Sequence, residues 1–401
     1  KNFQKTYLQC LSMHINHIAR YEQILHVLIE EDFGHLLVDM NLIESLSWFD
    51  KLLMQFARDT RSPEIRLTRT FERLGPTFIK LGQILSVRPD LLPSSYIKEL
   101  EKLQSHVAPM PYSVVQKAVE KELNKPIKKV FAWIDEEPIA SASIAQVHKA
   151  RLKNGKVVVI KIQRPGIHEV FDTDIQIMSD LAHGLQAHTR VAKYKPSKLV
   201  KEFSHWIHQE LDFEHEAENI KLFRQLYKRH PILRIPNVYM KYCTKKLLVL
   251  EYLDATPLNQ LHEDTEHLHT IFARAFAVTL EQVFVHGIFH ADPHPGNILV
   301  DKKQRLALVD FGIVGKLSEE NRHNMLELFY NLLEQDAEGI ADVLERMHTF
   351  DANAMTHAEL TNIIEEGMKE VSVDEVSQIQ IGRVFEHVMH KAVQKGVHVP
   401  A

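Results

Sequence analysis

The sequence predicts an α+β fold of two lobes preceded by a helical extension, and three observations carry that expectation. Residues 1–60 place apolar side chains at helical spacing, as in Ile15, Ile18, Tyr21, Ile24, Leu25 and Leu28, without strand-like alternation. From residue 128 the period changes to that of short strands, and it does so again over 232–251. Beyond residue 255 the pattern is chiefly helical, interrupted by one polar stretch, His290-Ala291-Asp292-Pro293-His294-Pro295-Gly296-Asn297, followed by Asp310-Phe311-Gly312. The expected division is 1–110 for the extension, 111–252 for a strand-rich lobe with a helical insertion, and 253–401 for a mainly helical lobe.

Bulk composition narrows the function. The 401 residues suit two or three domains, and 45% hydrophobic content is enough to build cores. With 48 basic and 53 acidic residues the net charge is −5, so no global positive field argues for nucleic acid. Cys10 and Cys243 are too few for a disulfide framework or a cysteine-rich metal site, which fits a reducing compartment. The 25 histidines show no His-Glu-x-x-His spacing and read as surface and packing residues rather than zinc ligands. No signal peptide opens the chain and no run of 18 apolar residues occurs, so nothing within it is expected to span a membrane. The chain begins without Met and ends at Val397-His398-Val399-Pro400-Ala401 straight after a helical pattern, so a membrane segment is expected, if anywhere, outside these residues.

Taken in order, the first 60 residues form two or three helices broken around Asp32-Phe33-Gly34, and their apolar face is expected to pack on the chain itself. Pro76 suits a first helical position. On the helix it opens, Lys80, Gln83 and Val87 share a face, and Gly82 permits close approach. That face could reach over an anionic ligand or stand in solvent. Val130–Ile134 and Ile139–Val147 read as strands joined by a turn at Asp135–Pro138, and Lys153-Asn154-Gly155-Lys156 turns into Val157–Ile162. Lys161 interrupts that last apolar strand. Buried, it needs an anionic partner, whereas on an edge strand it would point to water.

Residues 166–230 read as helical. Within them Glu210, Asp212, Glu214 and Glu216 repel one another unless cations such as Lys161 and Lys80 lie nearby. Ile235–Tyr239 and Lys246–Leu253 read as strands. The second runs into a polar linker, which in a two-lobed nucleotide enzyme is the hinge whose backbone, here Glu251 to Leu253, hydrogen-bonds the adenine. Around the polar stretch, Val283–Val285, Asn297–Val300 and Leu306–Val309 read as a short hairpin presenting its loop ends at a cleft.

An Asp, an Asn five residues on and a second Asp opening Asp-Phe-Gly form the spacing that phosphoryl transfer from a nucleotide needs. One carboxylate orients or deprotonates the acceptor, while the amide and the other carboxylate hold magnesium. The bland alternative is a pair of acidic turn residues. Two such motifs in order make it the weaker account.

These residues resemble the UbiB family of atypical kinases, bacterial counterparts of the mitochondrial ADCK/Coq proteins, over roughly residues 65–320. The likeness rests on Lys80-Leu81-Gly82-Gln83, Ala140-Ser141-Ala142-Ser143-Ile144-Ala145-Gln146-Val147-His148 and Lys161. It rests also on Glu210-Leu211-Asp212, Glu216, His290 to Asn297, and Asp310-Phe311-Gly312. The resemblance implies a protein-kinase-like fold with the N-terminal helical extension lying across the active site. Lys80 and Gln83, with Gly82, would form a lid meeting Glu210 and Asp212. Lys161 would pair with Glu216, Asp292 would be the catalytic aspartate, and Asn297 and Asp310 the Mg2+ ligands, with ATP as cofactor. Lys80 and Lys161 join Asp292 as the residues expected to carry the reaction, and Ala140, Ser141, Ala142, Ser143, Glu216, Glu251 and Leu253 as those expected around the nucleotide.

Three departures from ordinary protein kinases matter. Ala140 to Ser143 stands where a glycine-rich loop would be, and its Cβ atoms restrict φ near the phosphates. Ala291 occupies the place of the arginine that senses a phosphorylated activation loop. Asp-Phe-Gly is followed by Ile313–Leu317 and then helix, with no Ala-Pro-Glu, so a peptide has little to dock on. The implied activity is Mg-ATP phosphoryl transfer or hydrolysis supporting ubiquinone biosynthesis on the cytoplasmic side of a bacterial inner membrane. The implied partners are the nucleotide, a lipid or quinone precursor, the membrane surface, ubiquinone-biosynthesis proteins and a homodimer mate, and not nucleic acid. A small-molecule phosphotransferase of the aminoglycoside or choline kinase type, or a nucleotide-gated scaffold without turnover, are the alternatives.

Overall fold

Gly75 joins two helices with a single residue, at φ 90° and ψ −156°, a backbone region essentially reserved for glycine. It ends α3 (Pro63–Leu74) and caps α4 (Pro76–Leu85), the helix that carries Lys80 and Gln83 and begins at Pro76 as expected. The structure, a computed structural model, describes residues 17–39, 60–88, 91–103, 108–188, 195–261, 268–347 and 355–369. Part of the expected first helices, Cys10 and the C-terminal 370–401 lie outside the described residues. Two compact units emerge, the first of Lys1–Val87, Ser94–Glu214 and Tyr239–Leu250, the second of Arg88–Pro93, His215–Val238 and Glu251–Ala401.

In the first unit, α1 (17–30) and α2 (Gly34–Asp39) are separated by a turn at which Asp32 takes φ 62°. Leu25, Ile29 and Leu37 bury their side chains with Leu181, so the apolar stripe of α1 packs on the chain itself. Chain order continues through α5 (Ser94–Leu100), α6 (Tyr112–Leu123) and α7 (Ile127–Val130). A five-stranded sheet follows, of β1 (Phe131–Ile134), β2 (Ala140–Ser141), β3 (Ala145–Leu152), β4 (Val157–Gln163) and β6 (Leu247–Glu251). Its order is β1-β3-β4-β6, with β2 on β3. Val158, Ile160 and Ile162 of β4 point into the core with Phe131, Leu152 and Val249. Lys161, half-buried, lies on the opposite face of an interior strand, which removes the edge-strand reading. Helices α8 (Ile167–His188) and α9 (Pro196–Glu210) continue the first unit, while α10 (Phe213–Leu226) belongs to the second from His215 onward.

Two strand expectations are corrected here. Ile139–Val147 is not one strand: Ala140↔Val147 and Ser141↔Gln146 pair antiparallel, so the chain reverses over Ala142–Ile144. Alanine and serine fit both a strand and a tight turn, and the pairing decides between them. Ile235–Tyr239 is extended with one isolated bridge, because Pro236 lacks the ladder donor.

The second unit holds a sheet of order β5-β10-β9-β7, from β5 (Leu233–Arg234), β7 (Ala255–Pro257), β9 (Ile298–Asp301) and β10 (Leu306–Leu308). Strands β9 and β10 are the expected hairpin. A second small pair joins β8 (Ile288–His290) to β11 (Val314–Lys316). Helix α11 (Leu268–Leu280) continues into a π-helical segment, Glu281–His286, ended by Gly287 at φ 62°. Val283–Val285 therefore lies in a helix and not a strand. A run of three apolar residues carries no period of its own, and continuation from α11 overrides its β-branched composition. Taken together, Leu268–His286 is long and apolar enough to cross a membrane by length and composition, although it holds no unbroken run of 18 apolar residues. Its Ile271, Val278 and Gln282 are nevertheless buried within this unit. Helices α12 (Glu319–Leu333), α13 (Ala337–Arg346) and α14 (His357–Lys369) close the described chain, the last two sharing a core of Ile340, Leu344, Leu360 and Ile364.

Candidate functional site

In the first unit, β4 sets Lys161 opposite Val147 of β3, with its ammonium 5.1 Å from the ring centre of Phe213. The Ala140–Ser143 turn sits at the β2–β3 end of the same sheet, and Ala142 N–H closes it on Ala145 O at 2.9 Å. Lys80 Nζ lies 2.5 Å from Glu210 Oε1, so the acidic run does receive the lysine of α4. Gln83 Nε2 donates to Leu103 O at 3.2 Å. Asp212 is met by Lys245 at 3.4 Å and accepts Glu214 N–H at 3.0 Å, starting α10. Lys245 was absent from the sequence reading, since nothing local links residues so far apart in the chain. Gly82 has a packing reason: a Cβ there would stand 2.2 Å from Leu103 Cδ1 and 2.7 Å from Phe71 Cδ2. The close approach it permits is by its own helical layer.

A buried network fixes α4. Asp174 of α8 receives Arg20 Nε at 2.7 Å, Arg20 Nη2 at 3.0 Å and Thr77 Oγ1 at 2.6 Å, while Arg20 Nη2 also donates to Leu74 O at 2.6 Å. One carboxylate thus ties α1, the α3–α4 junction and α8 together.

In the second unit, His290 organises the polar loop. Its Nε2 donates to Val309 O at 3.0 Å and its Nδ1 accepts Asp292 N–H at 3.2 Å, which sets the tautomer. Gln282 Oε1, from the π-helical segment, accepts His290 N–H at 2.8 Å. Phe311, fully buried, stacks edge-on against His290 at 5.0 Å and packs on Phe223 at 4.9 Å. Asn219 Nδ2 donates to Phe311 O at 2.9 Å. These contacts hold Asp310, exposed and at φ 60°, in a left-handed conformation that Asp tolerates but that must be imposed. Asn297 Nδ2 donates to Asp292 Oδ2 at 3.0 Å and to Asp292 O at 3.2 Å. The loop therefore presents the Asn297 amide with its nitrogen committed to Asp292, so that Oδ1 is the atom with which it could accept or ligate.

Among the described residues no group of three or more His, Cys, Asp or Glu is placed to hold a metal ion. An amide oxygen and the Asp310 carboxylate still suit magnesium, which takes one or two protein oxygens and completes its shell with phosphates and water. Glu216 is buried in α10. At the expected hinge, Glu251 N–H donates to Asn237 O at 2.8 Å, which leaves its carbonyl and the backbone of Leu253 as the groups that could meet an adenine. The Glu251 carboxylate accepts Asn237 N–H at 3.1 Å, Asn237 Nδ2 at 2.7 Å and Arg234 at 3.2 Å. Gln282, Asn219, Asp174 and Arg20 were missed by the sequence reading because each acts on a backbone group or a distant helix.

A family model, the ABC1 atypical kinase-like domain, matches residues 102–344, which include Lys161, Asp292, Asn297 and Asp310. The chain is 39% identical over 286 residues to the chloroplastic protein ACTIVITY OF BC1 COMPLEX KINASE 8 of Arabidopsis thaliana, covering 69% of this chain and 37% of that protein. It is 36% identical over 328 residues to a Cellvibrio japonicus protein described as a probable protein kinase UbiB, covering 78% and 59%. An uncharacterized Synechocystis protein is 38% identical over 298 residues, covering 70% and 72%. The chain thus spans less than two thirds of the first two relatives. Its fold is kinase-like, and the chain belongs to the ABC1 atypical kinase-like family.

Proposed function

We propose that the chain is an atypical kinase or ATPase that uses Mg-ATP and transfers the γ-phosphoryl group to water or to a small lipid-like acceptor. The observation that carries the reading is the bonded pair Asp292–Asn297 together with Asp310 held at φ 60° by its buried neighbours. Asp292 orients or deprotonates the acceptor, and its carboxylate is positioned by the Asn297 amide. Asn297 Oδ1 and Asp310 would hold the magnesium ion, which when bound neutralises charge on the phosphates. Lys161 would add a second positive charge for the phosphates. Catalysis then rests on positioning and electrostatics rather than on a covalent intermediate.

The short segment after Asp310 supports a small acceptor over a peptide. Ile313 runs directly into β11, and Ser318 caps α12 by accepting Asn321 N–H at 3.1 Å. A strand passing straight into a capped helix leaves an extended peptide little to dock on. The finer reading places this chemistry in ubiquinone biosynthesis at a bacterial inner membrane, in keeping with the relatedness to UbiB. Phe272, Phe276 and Val285, exposed along Leu268–His286, support contact with an apolar surface.

The test is ATP turnover by the purified chain, with and without anionic liposomes and phenolic quinone-precursor analogues, against Asp292→Asn. Turnover should fall by about 10²-fold or more in the variant, the scale of a lost acid–base or orienting group. Equal rates in both would refute the assignment. Strong stimulation by an aminoglycoside or choline would favour a soluble-substrate phosphotransferase instead.

A further inference from the structure

Arg164 stands three residues beyond Lys161, at the exit of β4. Its guanidinium donates from Nε to Ala142 O at 2.9 Å, from Nη2 to Ser141 Oγ at 2.7 Å, and from Nη2 to Ala108 O at 3.0 Å. Its own N–H donates to Ile144 O at 2.9 Å. One residue therefore grips the Ala140–Ser143 turn at a side chain, at a backbone carbonyl and at its exit. The fourth partner, Ala108, opens the segment that leads to Met110. That segment is itself tied to β3, since Met110 N–H donates to Gln146 Oε1 at 2.6 Å.

The turn needs such a grip. It contains no glycine, so its alanine and serine Cβ atoms confine φ to the common regions. Ser143 is buried, and among the described residues its hydroxyl has no hydrogen-bond partner. A buried unpaired hydroxyl opposes the conformation that contains it, so another contact must outweigh that opposition. A guanidinium is suited to this, because its donors lie in one plane at fixed angles and carry charge. Burial pushes the Arg164 guanidinium below the ordinary arginine value, yet arginine stays charged in proteins.

We propose that Arg164 is a positioning residue of the nucleotide site, one that sets affinity for the phosphates by fixing the Ala140–Ser143 turn and fastening it to the Ala108–Met110 segment. The proposal rests on the reading that this turn meets the nucleotide. It assigns Arg164 no contact with the reacting atoms.

The experiment compares wild type, Arg164→Ala and Arg164→Lys in three measurements. These are Mg-ATP and Mg-ADP binding by calorimetry, KM and kcat for ATP, and amide hydrogen exchange over residues 140–146. In Arg164→Ala the dissociation constant and KM for ATP should rise about tenfold, as expected for loss of charged hydrogen bonds, with kcat within about twofold. Amides of the turn should exchange faster while those of β1 and β6 keep their protection. Arg164→Lys keeps the charge without the fork and should not restore affinity. Full restoration by lysine would overturn the proposal, because charge alone would then suffice. Unchanged affinity and exchange in Arg164→Ala would overturn it as well. Should the alanine variant not fold, Arg164→Gln carries the same comparison. Wild type that binds no Mg-ATP would defeat the functional reading and this inference with it, whereas tight binding unaffected by Arg164→Ala defeats the inference alone.

Discussion

Tyr227 carries a buried hydroxyl that has no hydrogen-bond partner among the described residues, on a ring set against Phe223, His230 and His286 at 6.3, 5.4 and 5.1 Å. Burial, and then the Glu281 carboxylate, push its ionisation well above the ordinary phenol value of 10.0. Because the folded chain holds this proton more tightly than the unfolded chain, stability falls as pH rises past about 10, by at most about 1.4 kcal/mol per pH unit. Tyr227→Phe removes a group that only costs desolvation. It should leave stability at pH 7 unchanged or raise it by about 1 kcal/mol, and its advantage should widen above pH 10 in urea titrations. A loss of more than about 1 kcal/mol at pH 7 would mean that the hydroxyl has a partner. At this scale the contact of Asp292 with Asn297 was legible in the sequence, because one short loop fixes their spacing. Gln282, Asn219 and Arg164 were not. Each serves a backbone group brought near it only by folding, and no spacing rule announces such a partner.

Helix α4 is placed by its neighbours more than by its own composition. Asp174 is fully buried and compensated by Arg20 and Thr77, three residues from three helices. Asp174→Asn would leave the Arg20 guanidinium without its charge partner and should destabilise the first unit by roughly 2–4 kcal/mol, somewhat less than a fully buried broken pair. The urea midpoint should fall, and protease cleavage before residue 88 should accelerate. An unchanged midpoint would show that the network adds nothing. Element by element, the sequence reading held where the period was long, as in α1, α4 and β6. It failed where the run was short or ambiguous. Ala and Ser at 140–143 satisfy a strand pattern throughout, but only Ala140 and Ser141 pair as a strand, with Val147 and Gln146, and the chain turns after them. Val283–Val285 is β-branched at its ends, yet it extends a helix already paid for by α11 and stops only at Gly287.

For the molecule as a whole, the legible part was the kinase-like class, carried by two acidic motifs, one lysine inside an apolar strand and a helical extension. Beside the expected Lys80–Glu210 pair, the unforeseen part was how closely that extension is knitted to the strand-bearing unit, through Arg20–Asp174 and Arg164–Ala108. Ligand binding is the global measure of the functional reading. Mg-ATP at 100 times its dissociation constant should stabilise the chain by about 2.7 kcal/mol. In Asp310→Asn the magnesium-dependent share of that gain should vanish, with the ligand-free melting temperature little changed, since Asp310 is exposed. A thermal titration in which the variant keeps the full Mg-ATP gain would exclude Asp310 as a ligand.

The pairing of β8 with β11 has a further consequence for control. Phe289 lies across Gly315, where a Cβ would stand 2.2 Å from the ring, so the two strands are locked face to face. Between Phe311 and Ser318 the chain reads Gly-Ile-Val-Gly-Lys-Leu, six residues without one hydroxyl to esterify. The switch that many kinases write in phosphate beside their metal-binding aspartate has no letter to be written in here. Any throttle on this chain must act from somewhere else in it, or from whatever the chain touches.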